Sequence, residues 1–329
     1  MSYLPDGSRD RDEFEITELN SSTELPKTAQ VLQISNSTIS HDQFVKILKL
    51  PYLTNLIVMN CTLDITFSKL PKVNRLQTLM IVNCGLTEFP DLSFSKFLQY
   101  LVLDNNKIKE ISNLSLEFLL EFSICSNQLD TVVLALPSLL SLKLSKNRIS
   151  SDAFVCGVPS LTSLDISNNI ITQFQHLSAT NCPYISQLSC THNPLKINSF
   201  KSVVSCQFLT SINISQIPDL DLNVLRTEIL GEFMSRSDEV AGAVGKNTFD
   251  DIFRNCLSFD HQEFQKLKRD AIDVMVQPED LTKVLITGLF GQIIEINGQQ
   301  IDIEDKVKMK NWICPRAEYL GMCAVKQYE

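Results

Sequence analysis

No run of about 18 apolar residues occurs in this chain of 329, so nothing in it reads as a membrane-spanning helix. The start, MSYLPDGSRDRDEFEITEL, is acidic and lacks an apolar core, so no secretory signal is expected. Ten cysteines are too sparse for a disulfide scaffold, and no CxxC pair occurs, which speaks against structural zinc. A reducing, cytoplasmic or nuclear compartment is the expectation. Basic charge is short: 29 Lys+Arg stand against 38 Asp+Glu, for a net charge of −9. A general nucleic-acid binder displays basic surface instead. Of ten glycines, two (Gly85 and Gly157) fall between residues 29 and 217.

Repetition fills that glycine-poor stretch. LTNLIVMNCTL (53–63), LQTLMIVNCGL (76–86), LQYLVLDNNKI (98–108), LLEFSICSNQL (119–129), LLSLKLSKNRI (139–149), LTSLDISNNII (161–171) and ISQLSCTHNPL (185–195) share one frame. AQVLQISNSTI (29–39) and LTSINISQIPD (209–219) are weaker members at its ends. The units begin at 29, 53, 76, 98, 119, 139, 161, 185 and 209, in steps of 20 to 24. Fourth and sixth positions are apolar, as Leu101 and Leu103 or Leu142 and Leu144 show. That period of two places both on one side of a short strand. The ninth position reads Cys61, Cys84, Asn106, Asn127, Asn147, Asn169 and Asn193. Buried main-chain groups need partners, and a stacked ladder of Asn side chains supplies them; a thiol does so more weakly. Pro51, Pro137 and Pro183 lie two residues before the next unit and end any helix there.

This frame resembles the leucine-rich repeat family, with its LxxLxLxxN/CxL pattern in units of about 20–29 residues. The resemblance covers roughly 29–217, and the short units are similar to the intracellular class of the phosphatase-1 regulator, the acidic nuclear phosphoproteins and tubulin-folding cofactors. It implies an α/β fold: a right-handed solenoid, or horseshoe, of about nine repeats with a parallel concave sheet. Units this short leave the convex side single turns, 3₁₀ pieces and a few short helices. Ahead of it, 1–28 is an acidic arm whose alternating Phe14 and Ile16 suggest one capping strand. After it, 218–329 is acidic again. There Leu222, Leu225, Ile229 and Phe233 space as a helical face, as do Phe264, Leu267, Ala271 and Met275 behind an Asp260–Glu263 capping box. QIIEI-NG-QQIDI (292–303) signals a two-residue hairpin. It is also similar to the closing turn of such repeat proteins. The stretch 220–276 then reads as a separate small domain or as an insertion before that cap.

Catalytic and metal-binding patterns are missing. His41, His176, His192 and His261 form no HExxH and no metal spacing. GAVGKNT (242–248) has Val240 where a phosphate loop needs its first glycine and Asn247 after the lysine, so a solvated loop is the better reading. Cys314 and Cys323 make no redox motif and suit buried thiols beside Trp312. No cofactor is expected.

The family's fold points strand positions three, five and seven at the concave side. Ile57, Met59, Met80, Val82, Tyr100 and Val102 then form a contiguous apolar patch, where Met and Tyr suit a protein interface. Either a protein partner covers it or the chain's own termini do. The later units read as a plain solvated face with Lys143, Lys146 and Asp165 as its charges. The expected function is a non-catalytic interaction module: an adaptor, scaffold or regulatory subunit. The alternative is an enzyme with its site in 218–329. No nucleic-acid or membrane partner is expected.

Overall fold

In the computed structural model the described residues are 13–20, 23–195, 197–200, 202–214 and 293–301. The expected helices of 218–286, the 242–248 loop and Trp312 with its two cysteines lie outside them.

Strands recur wherever the sequence frame recurs. They are β1 (Glu13–Ile16), β2 (Val31–Ser35), β3 (Thr38–Ser40), β4 (Asn55–Met59), β5 (Thr62–Asp64) and β6 (Thr78–Val82). After them come β7 (Tyr100–Val102), β8 (Glu110–Ser115), β9 (Glu121–Ser123), β10 (Thr131–Ala135) and β11 (Ser141–Lys143). The series ends with β12 (Ser163–Asp165), β13 (Gln187–Ser189), β14 (Ser211–Asn213), β15 (Glu295–Ile296) and β16 (Gln299–Gln300). Twelve of these form one sheet, ordered β1-β2-β4-β6-β7-β9-β11-β12-β13-β14-β15-β16. Its pairings are parallel until the last, β15 with β16, which is antiparallel. A parallel sheet whose strands follow chain order, each joined to the next across a second side, is a repeat solenoid.

Main-chain bonding repeats with the frame. At position two of each unit one carbonyl accepts two N–H groups from the next unit. Gln30 O takes Thr54 and Asn55 at 2.9 and 3.0 Å; Leu120 O takes Leu140 and Ser141 at 2.8 and 3.1 Å. Thr210 O takes Ile294 and Glu295 at 2.9 and 3.1 Å. The segment from Ile293 thus continues the solenoid directly after β14, although 215–292 intervene in sequence. Asn297 and Gly298, at φ 53° and 77°, then turn the chain as a type I′ hairpin requires.

Inside, the fourth and sixth positions stack into a continuous core. Leu56, Leu79, Leu101, Phe122, Leu142, Leu164, Leu188 and Ile212 are buried in register, and Ile296 follows them. The convex side closes the core with aromatic contacts such as Phe44–Phe67 and Phe174–Phe200, centroids 6.2 and 5.5 Å apart.

What crosses that convex side depends on unit length. The 24-residue unit from 29 holds helix α1 (His41–Leu48), opened by a Ser40–Gln43 capping box. Arg75 Nη2 donates to Leu48 O at 2.6 Å and to Leu50 O, placing positive charge on the helix's carbonyl end. Longer units elsewhere take 3₁₀ turns at Phe67–Lys69, Ala153–Gly157, Ile197–Phe200 and Val203–Ser205. The two shortest units, from 98 and 119, instead carry β8 and β10, paired parallel in a sheet of their own. A second small sheet joins β3 and β5. These convex strands correct the expectation of turns and helices only. An extended residue advances about 3.3 Å and a helical one about 1.5 Å, so the two shortest units span the return with β8 and β10, whereas β3 and β5, in longer units, are short strands that precede α1 and the Phe67–Lys69 turn.

Candidate functional site

Two chemistries are built into each unit, one where the strand ends and one along its face. Where the strand ends, the eighth position takes a left-handed backbone: Asn36, Asn60, Asn83, Asn105, Ser126, Lys146, Asn168 and His192 have φ between 51° and 57°. Asn tolerates this conformation best among non-glycine residues. The turn aims main-chain groups inward, and the ninth side chain meets them.

Asn127 is typical. Its Nδ2 donates to Leu103 O, Ile124 O and Cys125 O at 3.0, 3.3 and 3.2 Å, and its Oδ1 accepts Ile108 N–H at 3.0 Å. Asn106 does the same with Ile81 O, Leu103 O and Asp104 O, while its oxygen accepts both Cys84 and Leu86 N–H. Asn147, Asn169 and Asn193 repeat the pattern, accepting from Leu129, Ile149 and Ile171 at 3.0 Å each. Cys61 and Cys84 sit in the same place and donate through sulfur at 3.3–3.7 Å, to Met59 O and Ile34 O and to Val82 O and Val58 O. Burial pushes the Cys61 thiol up and the Cys84 thiol to about 11.

Ser37 belongs to the same ladder and was not among the residues the frame singled out. It donates to Ser35 O at 2.8 Å and accepts Leu19 N–H at 2.7 Å, tying the arm to the first unit. Its signal was positional, the ninth residue of the unit from 29. Asp152 was missed as well. Buried on the convex side, it accepts the N–H groups of Gln175, His176 and Leu177 at 3.1, 2.9 and 2.8 Å.

Along the face, Ile57, Met80 and Val102 are direct partners across β4, β6 and β7, and Met59 is the partner of Val82. Tyr100 stands beside Thr78. Three neighbouring strands thus bring all six side chains together, about 4.8 Å apart across each pairing. Each is half-buried rather than open, because close neighbours on a sheet shield one another. β1 lies beside β2 in the sheet, so the described part of the arm extends the face and does not cover the patch.

Toward the later strands the face becomes polar. Asp104 accepts Ser123 Oγ–H at 2.8 Å and Cys125 N–H at 2.7 Å. Burial raises its carboxyl above the usual range, against the opposing pull of those two bonds and of Lys143. Ser145 Oγ donates to Cys125 Sγ at 3.2 Å, and Ser167 and Ser189 share a 2.8 Å bond. On this face Asp104 and the exposed Glu121 carry charge in addition to Lys143 and Asp165. Lys146 itself occupies the left-handed turn. Among the described residues no group of three or more His, Cys, Asp or Glu could hold a metal ion. Likewise, no helix among them is long and apolar enough to cross a membrane.

No protein-family model matches the chain, and no curated protein matches it. Solved structures do. The TLR13–ssRNA13 complex is 22% identical with a TM-score of 0.48, over 59% of this chain and 29% of that one. The leucine-rich repeat domain of APL1B is 17% identical with a TM-score of 0.45, over 58% of this chain and 63% of that one. The match thus spans less than a third of the first and just under two thirds of the second.

Proposed function

We propose that this chain is a non-catalytic protein-interaction module, an adaptor, scaffold or regulatory subunit, that holds a protein partner on the face of its long sheet. In this reading about nine leucine-rich repeats form the platform, and the partner is an intracellular protein segment. One observation carries it: Ile57, Met59, Met80, Val82, Tyr100 and Val102 are juxtaposed by strand register on a face whose equivalent positions farther along are polar. The core does not need these six, since the alternate positions fill it. Tyr100 is the anchor, with much area and few rotors to freeze; Met59 and Met80 adapt to shape.

The test is a pull-down with quantitative mass spectrometry beside a thermal melt on the same variant. Met80→Asp with Tyr100→Ala should leave the melt near wild type and weaken partner capture by about 2–4 kcal/mol. Full capture with an unchanged melt would remove the patch as a binding site.

A further inference from the structure

The patch has an electrostatic frame. On strand positions three, five and seven the described acids are Glu13, Glu15, Asp104, Glu121, Asp165 and Glu295, and the described base is Lys143. The acids nearest the patch lie on both of its sides. Glu13 and Glu15 are exposed on β1 at one end, with Glu15 held by Gln33 Nε2 at 3.2 Å. Glu121, exposed, stands directly beside Tyr100 at the other end, and Asp104 follows Val102 by two residues. Asp104 Oδ1 takes the bonds from Ser123 and Cys125; its other oxygen has no hydrogen-bond partner among the described residues.

We infer that the partner segment is a basic amphipathic one, an apolar middle with Lys or Arg at both ends, seated on Met80 and Tyr100 with its ends toward Glu15 and Glu121. This rests on the proposed use of the face and names the chemistry of its occupant. The warrant is charge complementarity at a matching length. From β1 to β9 the sheet order runs through β2, β4, β6 and β7, which at about 4.8 Å per step makes about 24 Å. That is the length of a helix of about 16 residues. A carboxylate-tipped segment would meet like charge at both ends, and like charges across an interface are strongly disfavoured. The same acids weigh against a nucleic-acid backbone as occupant of this face.

The probe is a fluorescent helical peptide of about 16 residues with a leucine stripe and lysines at both ends. One twin carries glutamates at the ends, and another carries serines in the stripe. Each is titrated by anisotropy against the full chain. The lysine peptide should bind at least about tenfold more tightly than either twin, and more weakly as salt rises. Glu15→Lys with Glu121→Lys should weaken it about tenfold. Glu88→Lys with Glu117→Lys makes the same charge change at exposed residues outside these strand positions and should leave it near wild type. Equal losses in both pairs would reduce the effect to bulk charge and overturn the inference. If the glutamate peptide binds as well as the lysine one, the charge class is wrong. The face itself then survives only if Met80→Asp with Tyr100→Ala abolishes that binding. Binding indifferent to that pair, or no binding by any peptide, overturns the inference; indifference sinks the proposed site with it.

Discussion

Asn127 ties three carbonyls and one N–H from three different stretches of chain. Replacing it with Ala strands buried main-chain groups, and each unsatisfied group costs on the order of 1–3 kcal/mol. Asn127→Ala should therefore lower a denaturant midpoint clearly; an unchanged midpoint would contradict the ladder. Asp104 works in the opposite sense. Its carboxyl is raised by burial, so the folded chain takes up that proton more readily than the unfolded chain does. The stability this lends is present below the ordinary carboxylate range and lost as pH rises through the folded value. Asp104→Asn keeps an acceptor for Ser123 and Cys125 without the ionisation. The melting temperature of the variant minus that of wild type should rise as pH climbs from acid toward neutral; a difference that falls over that range would refute the sign. Most of the ladder was legible in the sequence because Asn or Cys recurs at a fixed offset from an apolar pair. Ser37 was not, since a serine there looks like any turn residue. The left-handed turn is written in five asparagines but hidden at Ser126, Lys146 and His192, where closure of the repeat imposes the conformation on residues that do not favour it.

Strands of the long sheet could be placed from alternation because each has one apolar face and one free face. The convex elements could not, since there the side chains only need to be apolar and the unit length decides the shape. Gly157 shows how tight that side is. It ends the 3₁₀ turn Ala153–Gly157, and its carbonyl accepts Leu136 N–H at 2.9 Å. A Cβ on it would lie 1.8 Å from Leu134 O and 2.7 Å from Leu134 C. Both are backbone atoms of β10, which cannot swing aside as a side chain can. Gly157→Ala should push the turn off β10 at a cost of at least about 1–3 kcal/mol. Hydrogen exchange should show the loss first at Leu136; a variant as stable as wild type would mean that the turn and β10 are not in contact in solution.

At the scale of the molecule, a solenoid is stabilised by nearest-neighbour contacts, so its ends matter more than its length suggests. β14 would expose Leu209 and Ile212 were it the last strand; instead β15 covers it with Ile293 and Ile296, and Ile301 is buried beside them. Asn297 Oδ1 accepts Ile214 N–H at 2.7 Å, which completes the edge. Residues 215–292 separate in sequence two strands that are neighbours in the sheet, and the repeat itself needs only one unit's worth of chain there. Two variants separate the contributions. In the first, 215–292 are replaced by 191–208, the stretch that joins β13 to β14, so that Ile214 runs through one ordinary convex return into Ile293. In the second, the chain stops at 214. Burying three isoleucines is worth about 1.5–3 kcal/mol each relative to exposure, so the first variant should melt well above the second, and close to the full chain. If both melt alike, the closing strand is not a cap, and the register of β15 on β14 is incidental. If the first melts far below the full chain, 215–292 are part of what stabilises the repeats rather than an insertion tolerated between them.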